Sequence, residues 1–366
     1  MPLSADPRIV MTLDAGGTNL KFSAIRGNEI LFDPIYIPTE AHDLKKCLGN
    51  VVEGFEQVRS RCPAPPVAIS FAFPGPADYP AGIIGDLPNL PAFRGGVALG
   101  PMLEEKFNIP VFINNDGDLF VYGEAIAGFL PYVNDLLAEA GSPKRYKNLF
   151  GITLGTGLGG GIVRNGDLFI GDNSVGGEAW LLRNKLDPAV NAEEGASIRA
   201  VRRVYAEVAG VSIEKTPEPK VICDIATGAA SGSREAAIEA FRRMGEEAGD
   251  AVAQALTLVD GLAVIGGGIS AAAPLFLPAL VAAVNDVYHK PTGPQHRLIA
   301  RAFNMEDAAD RKIFLKGEVR TVTVPGGTRT IQYDPLQRTA IGLSRLGTSE
   351  AVAVGAYAYA LRKLGV

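Results

Sequence analysis

Three glycine clusters and two acids are the places where this sequence could do chemistry. Ala15-Gly16-Gly17-Thr18, the run from Gly155 to Gly161, and Gly266-Gly267-Gly268 each follow an apolar stretch. Backbone N–H groups that no Cβ screens make cradles for anions, phosphate above all. One such cluster alone is as well explained by a tight turn. Three of them, each at the end of an apolar strand, point to a nucleotide. Asp14 closes the first apolar run beside its glycine turn, where a carboxylate can hold Mg²⁺ directly or through water next to phosphates. Asp116 follows the run VFIN in Asn114-Asn115-Asp116-Gly117. An acid so placed can accept the proton of an attacking hydroxyl while that oxygen moves onto phosphorus. Taken singly, either acid could be a turn or cap residue, since Asp is common at turns.

Residues 155–160, GTGLGG, match the dinucleotide fingerprint G-x-G-x-x-G letter for letter. The fingerprint requires a helix to open after its glycines. Here Gly161-Ile162-Val163 leads instead to the turn Asn165-Gly166 and further β-like sequence. No G-x-x-x-x-G-K-[ST] loop is present either. The nucleotide site is therefore neither Rossmann nor P-loop, and a pair of hairpin turns gripping phosphates from two sides fits better.

The elements that must position these groups read as mixed α/β. A strand over 8–14 opens the chain, followed by a strand–turn–strand over 21–37, a helix near 41–59 and a buried strand over 67–73. The stretch 86–96 is a loop by its Pro and Gly content. A helix near 99–107 leads to the strand at 111–114. A helix over 118–128 and a polar segment to 148 follow, then two strands joined by a glycine-rich turn. Helices are expected over 194–209 and 234–258. The second carries Ile238, Phe241, Met244, Ala248, Val252 and Leu256 on one face, with Ser233 as its N-cap. Residues 318–333 read as a hairpin, and a helix from about 349 closes the chain.

Composition sets limits. Lys and Arg total 35 against 40 Asp and Glu, for a net charge of -5. With no basic run, nucleic acid is not an expected partner. Cys47, Cys62 and Cys223 are widely spaced and odd in number, which argues against a disulfide framework and for a reducing cytoplasm. The N-terminus lacks the basic start and apolar stretch of a signal peptide. Residues 262–284 are uncharged and long enough to span a membrane. Gly266 to Gly268, Ser270, Pro274 and Pro278 break that run, so a strand, a glycine turn and a helix are expected and no membrane association.

At this point the motifs carry a resemblance. LDAGGTN at 13–19, FPGP at 73–76, PNLPAF at 88–93, INND at 113–116 and GEAIAG at 123–128 occur in the order of the ROK family. So do LGTGLGGGIVRNG at 154–166, GGE at 176–178 and VIGGGIS at 264–270. That family includes bacterial sugar kinases and related repressors, within the hexokinase/actin-like ATPase superfamily. The resemblance runs from about residue 9 to 360. It implies a two-lobed actin-like ATPase (ribonuclease H-like) fold with a cleft between the lobes. The smaller lobe would comprise 1–118 plus about 349–366, the larger 119–348. ATP phosphates would lie against Gly16, Gly17 and Thr18 on one side and Gly155, Thr156 and Gly157 on the other. Gly266, Gly267 and Gly268 would lie near the adenosine, with Mg²⁺ near Asp14. Asp116 would be the catalytic base and touch the sugar, which Asn115, Gly75, Asn89, Glu178 and Glu193 would also contact.

The sequence departs from the family's pattern in one region. Members commonly continue the acid as GExGH and then carry a cysteine-rich zinc loop. Here 177–181 read Gly-Glu-Ala-Trp-Leu, which puts Leu181 at the histidine position. Residues 183–192 replace the zinc loop and hold no Cys or His, while His42, His289 and His296 lie far away. Structural zinc is not expected. Trp180 could stack on a sugar face, although a lone Trp is more commonly core. Glu193 is aligned through Ser197, but Glu194 is adjacent, and either could be an ordinary first-turn helix acid. Two stretches exceed the family length, about 130–148 and about 296–335. They read as surface loops, or else as a cleft rim or the interface of a homodimer.

The expectation is thus an ATP- and Mg²⁺-dependent kinase of a sugar hydroxyl, on a hexose. The alternatives are a catalytically silent sugar-binding or regulatory relative without a DNA-binding domain, for which no room precedes the first strand, and an actin-like filament protein. A phosphoryl donor such as polyphosphate stays open.

Overall fold

The computed structural model describes residues 5–27, 29–87 and 90–365. In chain order the elements are β1 (Ile9–Ala15), β2 (Asn19–Arg26), β3 (Glu29–Ile30), β4 (Ile35–Pro38), α1 (Leu44–Arg61), β5 (Ala68–Ala72), β6 (Ala77–Asp78), β7 (Ile83–Ile84), α2 (Leu99–Phe107), β8 (Val111–Asn114) and α3 (Asp116–Ile126). Then come α4 (Phe129–Glu139), β9 (Leu149–Leu154), β10 (Leu158–Arg164), β11 (Asp167–Leu168), α5 (Ile198–Ala209), α6 (Pro219–Thr227), α7 (Arg234–Val259), β12 (Leu262–Gly266) and α8 (Ala273–Val284). The chain ends with β13 (Val287–Lys290), β14 (Gly293–His296), β15 (Arg301–Asn304), α9 (Ala308–Lys316), β16 (Arg320–Thr323), β17 (Thr330–Tyr333), β18 (Arg338–Leu343) and α10 (Thr348–Lys363).

The chain divides into two compact units. Unit 1 takes the chain up to Ile126, Phe169–Gly176 and the residues from Ser349 on, while unit 2 takes Ala127–Leu168 and Gly177–Thr348. The division falls at Ile126 instead of the expected 118, because the whole of α3 packs within unit 1.

In unit 1 the strand order is β3-β2-β1-β5-β8, with β4 also on β2; β1, β5 and β8 run parallel and β2 antiparallel to β1. A sheet covered on both faces needs strands that are apolar throughout, and β5 is buried at every position. Along β1 the faces alternate. Ile9, Met11 and Leu13 join Val51, Phe55 and Val58 of α1, whereas Val10 joins Tyr357, Ala360 and Leu361 of α10. Each fully buried side chain of this size contributes about 1.5–3 kcal/mol. Phe55 meets Phe22 edge-on with centroids 5.2 Å apart. The buried Tyr357 hydroxyl accepts the Gly27 N–H (2.9 Å) and donates to the Arg8 carbonyl (3.0 Å). α3 and α10 approach backbone to backbone: a Cβ on Gly123 would lie 2.0 Å from the Ala351 carbonyl oxygen, and one on Gly355 2.0 Å from that of Leu119.

In unit 2 the order is β11-β10-β9-β12-β18-β15, with β9, β12, β18 and β15 parallel and β10 antiparallel to β9. α7 is capped by Ser233, whose hydroxyl accepts the Ala236 N–H at 3.3 Å. Its buried stripe contains Phe241, Met244, Ala248, Val252 and Leu256 as expected, but Ile238 is 41% exposed and Ala237 takes its place. The uncharged stretch 262–284 resolves into β12, a 3-10 turn at Gly268–Ala272 and α8, as its breakers predict. No described helix is long and apolar enough to cross a membrane.

The expected polar segment before Asn148 is largely the helix α4, which buries Phe129, Leu130, Val133 and Leu137. Pro131 lies in the helix's first turn, where its missing N–H costs nothing. α3 begins at Asp116 instead of 118, and α5 begins at Ile198 after a 3-10 turn at Ala192–Glu194.

Candidate functional site

Unit 1 gathers its candidate residues at one edge of its sheet. The register pairs Asp14 with Ala72 and Ala72 with Asn114, so the C-terminal ends of β1, β5 and β8 are level. In open α/β sheets this is the edge where ligands bind. The turn 16–18 is held from behind: Gly16 N–H donates to the Asn19 carbonyl (3.1 Å), Thr39 N–H to that of Thr18 (3.0 Å) and Thr39 Oγ1 to that of Gly16 (2.6 Å). The exposed N–H groups of Gly17 and Thr18 have no backbone acceptor among the described residues. The Asp14 side chain is exposed beside them, with no hydrogen bond or ion pair to a described residue. Gly75 follows β5 at the same edge, where Phe73 N–H donates to the Asn114 carbonyl (2.9 Å) and Tyr79 Oη to that of Phe73 (3.0 Å). Asn89 lies outside the described residues.

Asn115 and Asp116 open α3 at this edge. The Gly117 N–H donates both to Asn115 Oδ1 (2.8 Å) and to Asp116 Oδ1 (2.9 Å). Each side chain is thereby anchored by one oxygen. The other carboxylate oxygen of Asp116 and the amide of Asn115 have no partner among the described residues, and Asp116 is exposed. A fixed carboxylate with a free oxygen can accept a proton, and an amide beside it can hold a hydroxyl.

Unit 2 repeats the design at the C-terminal edge of its own parallel strands. Thr153 pairs with Gly266, which sets the turn 155–157 level with Gly266, Gly267 and Gly268. β10 follows the turn directly, so GTGLGG is a hairpin, as its flanking sequence requires. Gly267 has φ +91°, and a Cβ there would sit 2.2 Å from the Leu154 carbonyl oxygen. Only glycine fits both demands. Its N–H donates to Thr348 Oγ1 at 2.8 Å.

Glu193 is drawn into the same turn. Its Oε2 accepts the Leu158 N–H at 3.1 Å, and the same oxygen occupies the space where a Gly157 Cβ would be, 2.4 Å away. Arg199 completes the arrangement, donating to Glu193 Oε1 (2.9 Å) and to the Thr156 carbonyl (3.1 Å). Glu194 faces outward toward Arg199 and Arg203, and Arg199 holds its carboxyl below the usual range. The two adjacent acids are thus told apart by geometry: Glu193 grips the turn 155–157 and Glu194 does not. Glu178 accepts a hydrogen bond from the Trp180 indole N–H. Trp180 packs its ring against the core, so it serves as an anchor with a polar handle. Leu181 next to it is 59% exposed.

The loop 183–192 is organised by side chains. Glu247, buried on α7, accepts the N–H groups of Lys185 (2.9 Å) and Leu186 (2.7 Å). Asn184 Oδ1 accepts those of Leu186 (3.0 Å) and Asp187 (2.8 Å), and Lys185 Nζ pairs with Glu246 (3.0 Å) and Asp286 (3.2 Å). Burial pushes the Glu247 carboxyl above its usual range, against the pull of its two N–H donors. Arg199 and Glu247 escaped the sequence reading, because the contacts that matter, Arg199 to Thr156 and Glu247 to Lys185, join segments distant in sequence. Of the two readings of Trp180, the structure shows the core one.

A sequence model of the ROK family matches residues 10–309. The glucokinase of Halalkalibacterium halodurans is 30% identical over 174 residues, covering 45% of this chain and 47% of that relative. The N-acetyl-D-glucosamine kinase of Vibrio cholerae is 28% identical over 191 residues, covering 50% of this chain and 56% of that relative. The chain therefore spans about half the length of these curated relatives. Among solved structures, a glucokinase from Parabacteroides distasonis is 53% identical with a TM-score of 0.93, covering 99% of each chain. A ROK family glucokinase from Streptomyces griseus in complex with glucose and AMPPNP is 19% identical with a TM-score of 0.59, covering 95% of this chain and 98% of that one, and shows the fold alone. The α/β architecture is that of the actin-like ATPase fold.

Proposed function

Since the chain belongs to the ROK family, we propose that it transfers the γ-phosphoryl group of ATP to a hydroxyl of a hexose. The observation that carries this reading is the shared edge of unit 1, where an anchored acid with a free oxygen, Asp116, stands level with Asp14 and the turn 16–18. Asp116 takes the proton of the sugar hydroxyl as its oxygen bonds to phosphorus, and the bond to the ADP oxygen breaks. Asn115 holds the same hydroxyl, with Gly75, Asn89, Glu178 and Glu193 holding the rest of the sugar. The N–H groups of Gly17, Thr18 and Thr156 take phosphate oxygens, with Gly16, Gly155 and Gly157 shaping those turns, and Gly266 to Gly268 receive the adenosine.

Among the described residues no three or more His, Cys, Asp or Glu cluster to hold an ion. A lone exposed carboxylate such as Asp14 nonetheless suits Mg²⁺, which keeps several waters and leans on substrate phosphates. Bound there, Mg²⁺ would neutralise phosphate charge. Asp116 needs no unusual acidity for its role, since phosphoryl transfer rests mostly on positioning. The free thiols of Cys47, Cys62 and Cys223 fit a reducing cytoplasm.

The test is ADP release from ATP with a panel of sugars, for the wild type and Asp116→Asn. Turnover should require a sugar, and the variant should lose at least about 100-fold in kcat while keeping sugar affinity, the scale for removing a general base. Sugar-independent hydrolysis, silence with every sugar, or near-normal turnover by the variant would overturn the reading.

A further inference from the structure

The two stretches by which this chain exceeds its family pattern meet within unit 2. Tyr146 of the first stacks on Phe314 of the second, with ring centroids 6.0 Å apart and 24° between planes. Its hydroxyl donates to the Arg338 carbonyl at 2.5 Å. Arg338 lies over the Phe314 ring at 5.4 Å and pairs with Asp334 at 2.5 Å, both side chains being buried. Beside this contact opens a cavity of about 840 Å³. Small-molecule pockets run to about 300–1,000 Å³.

The wall of the cavity is strongly basic. Lys144, Arg145, Lys147, Arg297 and Arg338 line it, against Asp260. Arg297 and Arg338 are already matched by Asp250 and Asp334. Lys144, Arg145 and Lys147 have no carboxylate partner among the described residues, so cations exceed anions here even after Asp260 is counted. Burial, and then the charge of Arg338, hold the Lys144 ammonium below its usual range. The Nε atoms of Arg297 and Arg338 are buried without an acceptor. The C-terminal end of α7 also borders the space, and its macrodipole brings about half a negative charge, less than the unpaired cations supply. Arg145 and Lys147 are exposed and Lys144 half-buried, so their charges face the open space and are available to an anion.

Its position separates it from the glycine turns. Asn148, Gly261, Ala300 and Arg338 line it, and these stand at the N-terminal ends of β9, β12, β15 and β18. The turns lie at the opposite ends of β9 and β12. From Asn148 to Gly155 the chain rises roughly 20 Å at about 3.3 Å per residue.

We propose that this cavity is a second anion site, taking a small phosphate-bearing molecule, either orthophosphate or a sugar phosphate. Lys144, Arg145 and Lys147 would bind the phosphate by charge-assisted hydrogen bonds, while Arg297 and Arg338, fixed by their own acids, hold the wall in shape. The exposed Ile299 and the half-buried Leu298 on the rim would meet the carbon skeleton of a larger ligand.

The test is calorimetric titration of the full chain with orthophosphate and, separately, with glucose 6-phosphate. A saturating non-hydrolysable ATP analogue and sugar are present throughout, to keep either ligand out of the glycine turns. Wild type should bind at least one of the two saturably, near one per chain. The double variant Lys144→Gln, Lys147→Gln should bind it at least about tenfold more weakly, given the strength of charge-assisted contacts. Its affinity for the ATP analogue should be unchanged, which also reports that it has folded. Equal binding of both ligands assigns the recognition to the phosphate alone, and tighter binding of the sugar phosphate brings in the rim; either supports the site. No saturable binding at millimolar concentration, or equal binding by the double variant, overturns it. The result is read from binding and stands whether or not the chain phosphorylates a sugar.

Discussion

Substituting alanine for glycine at two helical positions should move stability in opposite directions. Gly49 is exposed in α1, and a Cβ there meets nothing within 4 Å. Gly123 lies in α3, where the same Cβ would be 2.0 Å from the Ala351 carbonyl oxygen and 2.8 Å from its carbon. Alanine gains about 0.5–1 kcal/mol over glycine in a helix, by restricting the unfolded chain. Gly49→Ala should realise that gain. At Gly123 an ordinary contact distance requires α3 and α10 to separate by roughly 1 Å or more, and overpacking of a dense core costs about 1–3 kcal/mol. The separation would also open the reciprocal contact of Gly355 with Leu119 and the buried cluster of Ala72, Leu119 and Ala356. The net expectation for Gly123→Ala is a loss of up to about 2.5 kcal/mol, the packing cost less the helix gain. Urea unfolding of both variants reads the signs directly. Because Asp116 starts α3, Gly123→Ala should also lower kcat, whereas Gly49→Ala should leave it unchanged. If Gly123→Ala stabilises the protein as Gly49→Ala does, the close packing of α3 on α10 is wrong.

Three further outcomes are expected. Glu247→Ala should destabilise by about 2 kcal/mol, since the half-buried Lys185 N–H loses its acceptor and that of Leu186 loses one of two; unchanged urea unfolding would count against the role given to this carboxylate. The Arg242 guanidinium, with that of Arg243, holds Glu239 down to about 2. A depressed carboxyl stabilises the fold above its usual range, near 4.5, and loses that contribution as the pH falls toward 2. Glu239→Gln should therefore lower Tm slightly at neutral pH, as befits partly exposed pairs, and the gap to wild type should close in acid; a gap that does not change with pH refutes the pairing. Zinc analysis of the purified protein should give well under one ion per chain, and one tightly held zinc would refute the metal-free reading of loop 183–192.

Much of the fold was legible because local signals agreed. The strand VFIN, the hairpin around Pro325 and the Ser233 cap each depend on neighbours in sequence, and so did the rejection of GTGLGG as a Rossmann turn. The failures have specific causes. α4 was read as part of a polar segment, because its buried residues Phe129, Leu130, Val133 and Leu137 run straight into the polar stretch that ends at Asn148. Ile238 fits the apolar period of α7 but stands exposed, because which residues a long helix buries depends on what packs beside each turn. Within the site, glycines and acids at strand ends were readable as motifs. What fixes them was not: Arg199 reaches back across the chain to Thr156, and Glu247 reaches Lys185 from the middle of a helix that reads as an ordinary amphipathic element.

Residues 183–192 take their shape from Asn184 and from a carboxylate carried on a 26-residue helix. The loop therefore has no shape of its own apart from α7, and whatever frays or shifts the middle of that helix also undoes the loop.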